Sequence, residues 1–127
     1  MPPTQLRHRT KLFAIEIVDL CRHLPKSDEG AIVRRQLLRA GTSVGANYRA
    51  ACRPKSDADF VAKLGTVIEE CDETAFWLEL SVDIHLVTDI QVSKLLNESD
   101  ELLRVFVASR ETVRRRLRQQ RVSRDKP

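Results

Sequence analysis

The sequence predicts an all-α fold: an antiparallel up-down four-helix bundle that assembles as a homo-oligomer. Three observations predict it. Glycine and proline number 4 and 5 in 127 residues, too few turn-formers for a sandwich or a barrel. Apolar residues recur every three or four positions between proline and capping stops, which is the helical period. Two of the helical segments carry a second apolar face, and another copy of the chain covers such a face at least cost. A chain of this length forms one domain and buries roughly two-thirds of its unfolded surface.

The first helix is expected from about Thr4 to His23. Phe13, Ile17, Leu20 and Leu24 share one face, and Pro25 stops it. Leu12, Ile15 and Val18 lie off that stripe. The second helix is expected from Asp28 or Glu29 to Cys52, with Val33, Leu37, Val44, Tyr48 and Ala51 on one side and Arg53-Pro54 ending it. Gly41 and Gly45 each cost about 1 kcal/mol against Ala in a helix. Close approach of a neighbouring helix is the expected compensation. The third helix starts at Ser56-x-x-Asp59, a capping box. Phe60, Leu64, Val67, Ile68, Cys71, Ala75, Leu78 and Val82 form its core face, while Phe76, Leu80 and Ile84, with Trp77 beside them, form a second. The fourth starts at Thr88-x-x-Gln91, with Val92, Leu95, Leu96, Leu102, Leu103, Phe106, Val113 and Leu117 in period. The bundle is expected over 1–118, with 119–127 as a basic, flexible tail.

Charge is segregated along the chain. Net charge is +4. Between Gly30 and Ser56 there is no acid, and Arg34, Arg35, Arg39, Arg49, Arg53 and Lys55 are basic. At 100° per residue Arg35, Arg39, Arg49 and Arg53 stand opposite the apolar side. The third helix has eight acids against Lys63 alone, and eight cations follow Ala108 against Glu111 and Asp125. A positive helix face suits a polyanion. The rival readings are a solvated face, or arginines paired internally with Glu69, Glu70 or Glu73.

Catalytic and metal chemistry find little support. Gly41-Thr-Ser-Val-Gly-Ala lacks the lysine and preceding strand of a phosphate loop, and Ser43 sits mid-helix rather than on a nucleophile elbow. His8, His23 and His85 are scattered, so no metal site and no cofactor are expected. Asp19 and His23 are spaced for a side-chain pair. Cys21, Cys52 and Cys71 are odd in number and widely spaced, as in reduced core residues of a cytoplasmic protein. No apolar run reaches bilayer length, and Met-Pro-Pro-Thr-Gln does not open an apolar signal region.

Leu37-Leu-Arg-Ala-Gly-Thr-Ser-Val-Gly-Ala-Asn-Tyr48, then Asp57-Ala-Asp-Phe-Val-Ala-Lys-Leu64, then Glu69-Glu-Cys-Asp-Glu-Thr with Trp77-Leu-Glu-Leu80, carry a family resemblance. The chain resembles, from Phe13 to Thr112, the four-helix-bundle proteins encoded in 23S rRNA intervening sequences. The accessory proteins of diversity-generating retroelements look similar. The resemblance implies an antiparallel bundle, a homopentamer and no enzymatic activity. Many members carry Glu-Gly shortly after the Asn, where this chain has Ala50 and Ala51.

The expected function is therefore non-enzymatic binding of nucleic acid, RNA favoured, with no membrane partner. Arg35, Arg39, Arg49, Arg53 and Lys55, then Arg114, Arg115 and Arg118, are the candidate contacts. Leu12, Ile15, Val18, Phe76, Trp77, Leu80 and Ile84 are the candidate oligomer interface. The alternative is a protein-binding scaffold, for instance an accessory subunit docking a reverse transcriptase.

Overall fold

The computed structural model describes residues 1–125 and holds four helices, with no strand among the described residues. They are α1 (Pro3–Arg22), α2 (Asp28–Ala51), α3 (Asp57–Asp83) and α4 (Asp89–Arg124). Each boundary has a local cause. Pro3 opens α1 as its first residue, where a missing N–H costs nothing. Ser27 Oγ accepts from the Gly30 N–H and caps α2. Ser56 Oγ accepts from the Asp59 N–H and caps α3. The Asp59 carboxylate reaches back to the Lys55 N–H, one residue beyond the expected box partner. At α4 the box is complete: Gln91 N–H to Thr88 Oγ1, and Thr88 N–H to Gln91 Oε1.

Each helix packs on its neighbours in sequence, and α4 packs back on α1. Gly41 faces Ile17 and Gly45 faces Thr10, so α1 and α2 run antiparallel. Cys71 meets Ser99 and Asp57 meets Arg116, so α3 and α4 also do. Arg9 meets Glu98 while Glu16 meets Lys94, which sets α4 antiparallel to α1. α1 and α3 occupy opposite corners, and their backbones do not approach closely.

The expected stripes of α1 and α2 are buried, from Phe13, Ile17, Leu20 and Leu24 to Val33, Leu37, Val44, Tyr48 and Ala51. On α3 the buried line is rotated from the expected one. Thr74 and Ser81 are fully buried beside Leu64, Val67, Cys71 and Leu78, while Phe60, Ile68, Ala75 and Val82 are half-buried. Hydropathy hid these two hydroxyls. Each donates to its own helix, Thr74 to the Glu70 carbonyl at 2.7 Å and Ser81 to the Leu78 carbonyl at 2.7 Å, so burial leaves neither unsatisfied. Tyr48 stacks against Phe106 at 5.4 Å between ring centres.

The expected end of the bundle at 118 does not coincide with a helix end. α4 continues to Arg124, although no described side chain after Val113 is fully buried and only Leu117 is half-buried. The last turns therefore project from the bundle as helix through Arg124. The tail's final two positions, 126–127, lie outside the described residues.

Candidate nucleic-acid interface

Three of the four helix–helix seams are crossed by arginine ion pairs. Arg9 of α1 grips Glu98 of α4 with two bonds, at 2.7 and 2.6 Å, and also reaches Glu101. Arg39 of α2 bonds Glu70 at 3.1 Å and Glu73, both on α3. Arg116 of α4 grips Asp57 of α3 at 3.0 and 3.1 Å. The Glu73 carboxyl is held below its ordinary range, first by its hydrogen bond from Arg39. The α1–α2 seam has no such strap. It is closed by contact instead. A Cβ on Gly41 would stand 2.8 Å from Ile17 Cγ2, and one on Gly45 would stand 3.3 Å from the Thr10 carbonyl oxygen. This close approach is the compensation expected for two mid-helix glycines.

The consequence is electrostatic. The cations bordering the α1–α2 seam keep their charge for solvent. At one end Arg7, Lys11 and Arg49 border a groove of about 200 Å³ floored by Ala14, Thr42, Gly45 and Ala46. Towards the other end Arg22, Lys26 and Arg34 border a more apolar stretch over Val18, Leu24 and Leu38. No acidic side chain lines either stretch. Among the described residues none of the six forms an ion pair, and Arg34 donates to the Pro25 carbonyl at 3.2 Å. From Arg7 to Arg22 the valley runs about 22 Å at ~1.5 Å per residue.

The expected contacts divide against this geometry. Arg35, Arg49, Arg53 and Lys55 are exposed and in no ion pair among the described residues. Arg39 also lies on the exposed stripe, and its guanidinium is paired with Glu70 and Glu73, the internal pairing named as a rival reading. On α4, Arg114 is exposed and unpaired, whereas Arg115 and Arg118 share Glu111, at 3.7 and 2.8 Å. Arg7, Lys11 and Arg22 were absent from the expected set. Their signal was present as i, i+4 spacing of Arg7 and Lys11 next to Ala14, but which neighbour that face meets is a tertiary fact.

The expected interface residues remain uncovered in the single chain. Ile15 and Phe76 are each 55% exposed, and Leu12 and Ile84 are also exposed. Val18, Trp77 and Leu80 are half-buried. Trp77 stands edge-on to Phe76 at 5.1 Å, and its Nε1–H donates to Glu73 at 3.4 Å. Phe76 and Ile15 point outward from opposite corners of the bundle.

No group of three metal-ligating side chains converges among the described residues. His23 Nδ1 meets the Asp19 backbone carbonyl at 2.8 Å, not its carboxylate. Burial pushes the Cys21 thiol up to about 11 and raises that of Cys71. No described helix is long and apolar enough to cross a membrane.

None of the curated proteins compared with the chain matches it. A crystal structure from Bacteroides thetaiotaomicron, of a protein of unknown function in the S23 ribosomal protein family, is 32% identical with a TM-score of 0.81. The match covers 87% of this chain and 99% of that one. The family model described as 23S rRNA-intervening sequence protein matches residues 4–108. With the four helices in place and that model spanning most of the sequence, the chain belongs to the 23S rRNA-intervening sequence protein family.

Proposed function

We propose that this protein binds structured RNA without catalysis, through the cationic face formed by α1 and α2, and that it does so as a homo-oligomer. The observation that carries the reading is the α1–α2 valley. Each of its two ends gathers three cations with no acid in the lining, Glu16 and Asp19 standing on the adjoining outer face of α1, while the other three seams spend arginines on internal pairs. Such a surface recognises phosphates rather than bases. No aromatic side chain lines the valley, which disfavours stacking of unpaired bases and favours a folded RNA. Arg35 and Arg53 on the outward face of α2, and Arg114 on α4, extend the positive surface.

Assembly is supported by the two uncovered apolar faces. Two α3 faces repel each other through Glu69, Asp72, Glu79 and Asp83, so the α3 face of one copy suits the Leu12 and Ile15 edge of α1 in the next, with Val18 left to the valley. Contact between two different faces closes into a ring when the rotation between copies divides a full turn. A ring of five rests on the family resemblance alone.

The test is binding of a fluorescent RNA hairpin across a salt series, with light scattering on the same sample. Six cations engaging phosphates give a log–log salt slope of about −4 to −5, at ~0.7–0.9 per contact. A mass of several subunits is expected, and Phe76→Lys reduces it. Failure to bind at 0.15 M salt sinks the RNA reading, and a monomeric mass sinks the assembly.

A further inference from the structure

We infer that the Arg7–Lys11–Arg49 end of the valley is a discrete phosphate site that holds one phosphate group of the RNA backbone between α1 and α2. The inference rests on the RNA reading and gives it a position. Three features meet here, and the third, a floor of small residues, sets this end apart from the rest of the valley. The first is convergence from two helices. Arg7 and Lys11, one turn apart on α1, face Arg49 across the seam. The second is concavity. The groove of about 200 Å³ has room for roughly six or seven waters at ~30 Å³ each, enough for a phosphate and part of its sugar. The third is the floor. Thr42, Gly45 and Ala46 keep α2 low under the three cations, because the seam packs too tightly for larger side chains at Gly45.

The chemistry follows from the charges. Three like charges around a groove without an acid repel one another, and an oxyanion among them relieves the repulsion. Arg7 is half-buried and its guanidinium is in no ion pair among the described residues, so its fork is available beside the groove for bidentate contact to a phosphate. Lys11 and Arg49 are exposed and reach the outer oxygens. At the opposite end Arg22 of α1 and Arg34 of α2 also converge, over a wider groove of about 500 Å³, but the floor and the state of the cations differ. There the floor is Val18, Leu24 and Leu38, and Arg34 is occupied by the Pro25 carbonyl. On α4, Arg115 and Arg118 share the single carboxylate of Glu111.

The test uses the full chain and the same RNA hairpin. Arg7→Gln/Lys11→Gln removes two cations. Ala46→Glu leaves all three cations in place and puts a carboxylate on the exposed floor, where it fits without displacing the core. Lys94→Gln/Arg104→Gln on α4 is the control of matched charge change. Far-ultraviolet circular dichroism confirms that each variant is folded. The two groove variants are expected to bind at least tenfold more weakly at 0.15 M salt, and the control no more than about threefold. The salt slope of Arg7→Gln/Lys11→Gln falls by about 1.4–1.8. In parallel, inorganic phosphate titrated into the labelled wild-type protein shifts the amides of Thr42, Gly45 and Ala46 before others. Groove variants that bind the hairpin as the control does overturn the site and leave the RNA reading intact. A wild type that does not bind the hairpin overturns the RNA reading. Phosphate-induced shifts scattered over the surface, or none, overturn the pocket in either case.

Discussion

Alanine at Gly65 is expected to stabilise the protein, and alanine at Gly41 is not. Both glycines lie inside helices, and in each case the added methyl group favours the helix by about 1 kcal/mol. At Gly65 nothing lies within 4 Å of the new Cβ, so that gain is kept. At Gly41 the new Cβ stands 2.8 Å from Ile17 Cγ2, 2.9 Å from Cγ1 and 3.1 Å from Cβ. Ile17 is fully buried and β-branched on a helix, so it has one strongly preferred rotamer and no free end to swing aside. The helices must separate, at an overpacking cost of about 1–3 kcal/mol. Subtracting the helix gain leaves Gly41→Ala neutral to about 2 kcal/mol less stable. The two variants should therefore differ by about 1–3 kcal/mol, or several degrees in Tm at ~3–5 °C per kcal/mol for a chain of this size. Gly45→Ala, 3.3 Å from a backbone oxygen, should fall between them. Urea unfolding followed by circular dichroism at one fixed protein concentration measures all three. A Gly41→Ala protein stabilised as much as Gly65→Ala would refute the claim that direct helix contact closes the α1–α2 seam.

Three other outcomes follow from the same geometry. Thr88→Ala removes the capping hydroxyl of α4 and should cost about 1 kcal/mol in urea unfolding; no change would mean that the cap is idle. Stability should fall in acid. Arg39 lowers the Glu73 pKa, the Lys55 N–H lowers that of Asp59, and Arg118 lowers that of Glu111. The unfolded chain then binds more protons, so this stability is present above about pH 4.3, the ordinary Glu value, and is lost as pH falls through the folded values. Glu73→Gln should flatten that limb of the stability–pH curve, and an unchanged limb would show that the Arg39 pair does not contribute. Thiol titration at pH 8 should find Cys52, half-buried, reacting first, with the buried Cys21 and Cys71 reacting only after urea is added. Three equally fast thiols would contradict the buried positions.

Much of the fold was legible because its signals are local. Pro25 and Pro54 stop helices whatever surrounds them, and Ser56 and Thr88 cap helices through atoms three residues away. The apolar stripe of α1 needed only its own period to be placed inside. The line on α3 was misread towards Ala75 and Val82 because buried Thr74 and Ser81 satisfy their hydroxyls on their own helix, which hydropathy does not register. The candidate site was legible in part. The wheel of α2 placed Arg35, Arg49 and Arg53 outside correctly. It placed Arg39 there too, but could not show that Glu70 and Glu73 of another helix reach it.

The sequence by itself determined the four helices, their starts and the ends of the first three, the outward basic stripe of α2 and the family to which the chain is similar. These depend on interactions within about four residues, or on a pattern of residues along the chain. The tertiary structure alone decided which charges are free. Ion pairing falls off over a few ångströms and depends on the azimuth and register of neighbouring helices, which no single helix encodes. That is why Arg9, Arg39 and Arg116 became straps between helices. It is also why Arg7 and Lys11, unremarkable in the chain, stand with Arg49 over a groove where two glycines draw the helices together.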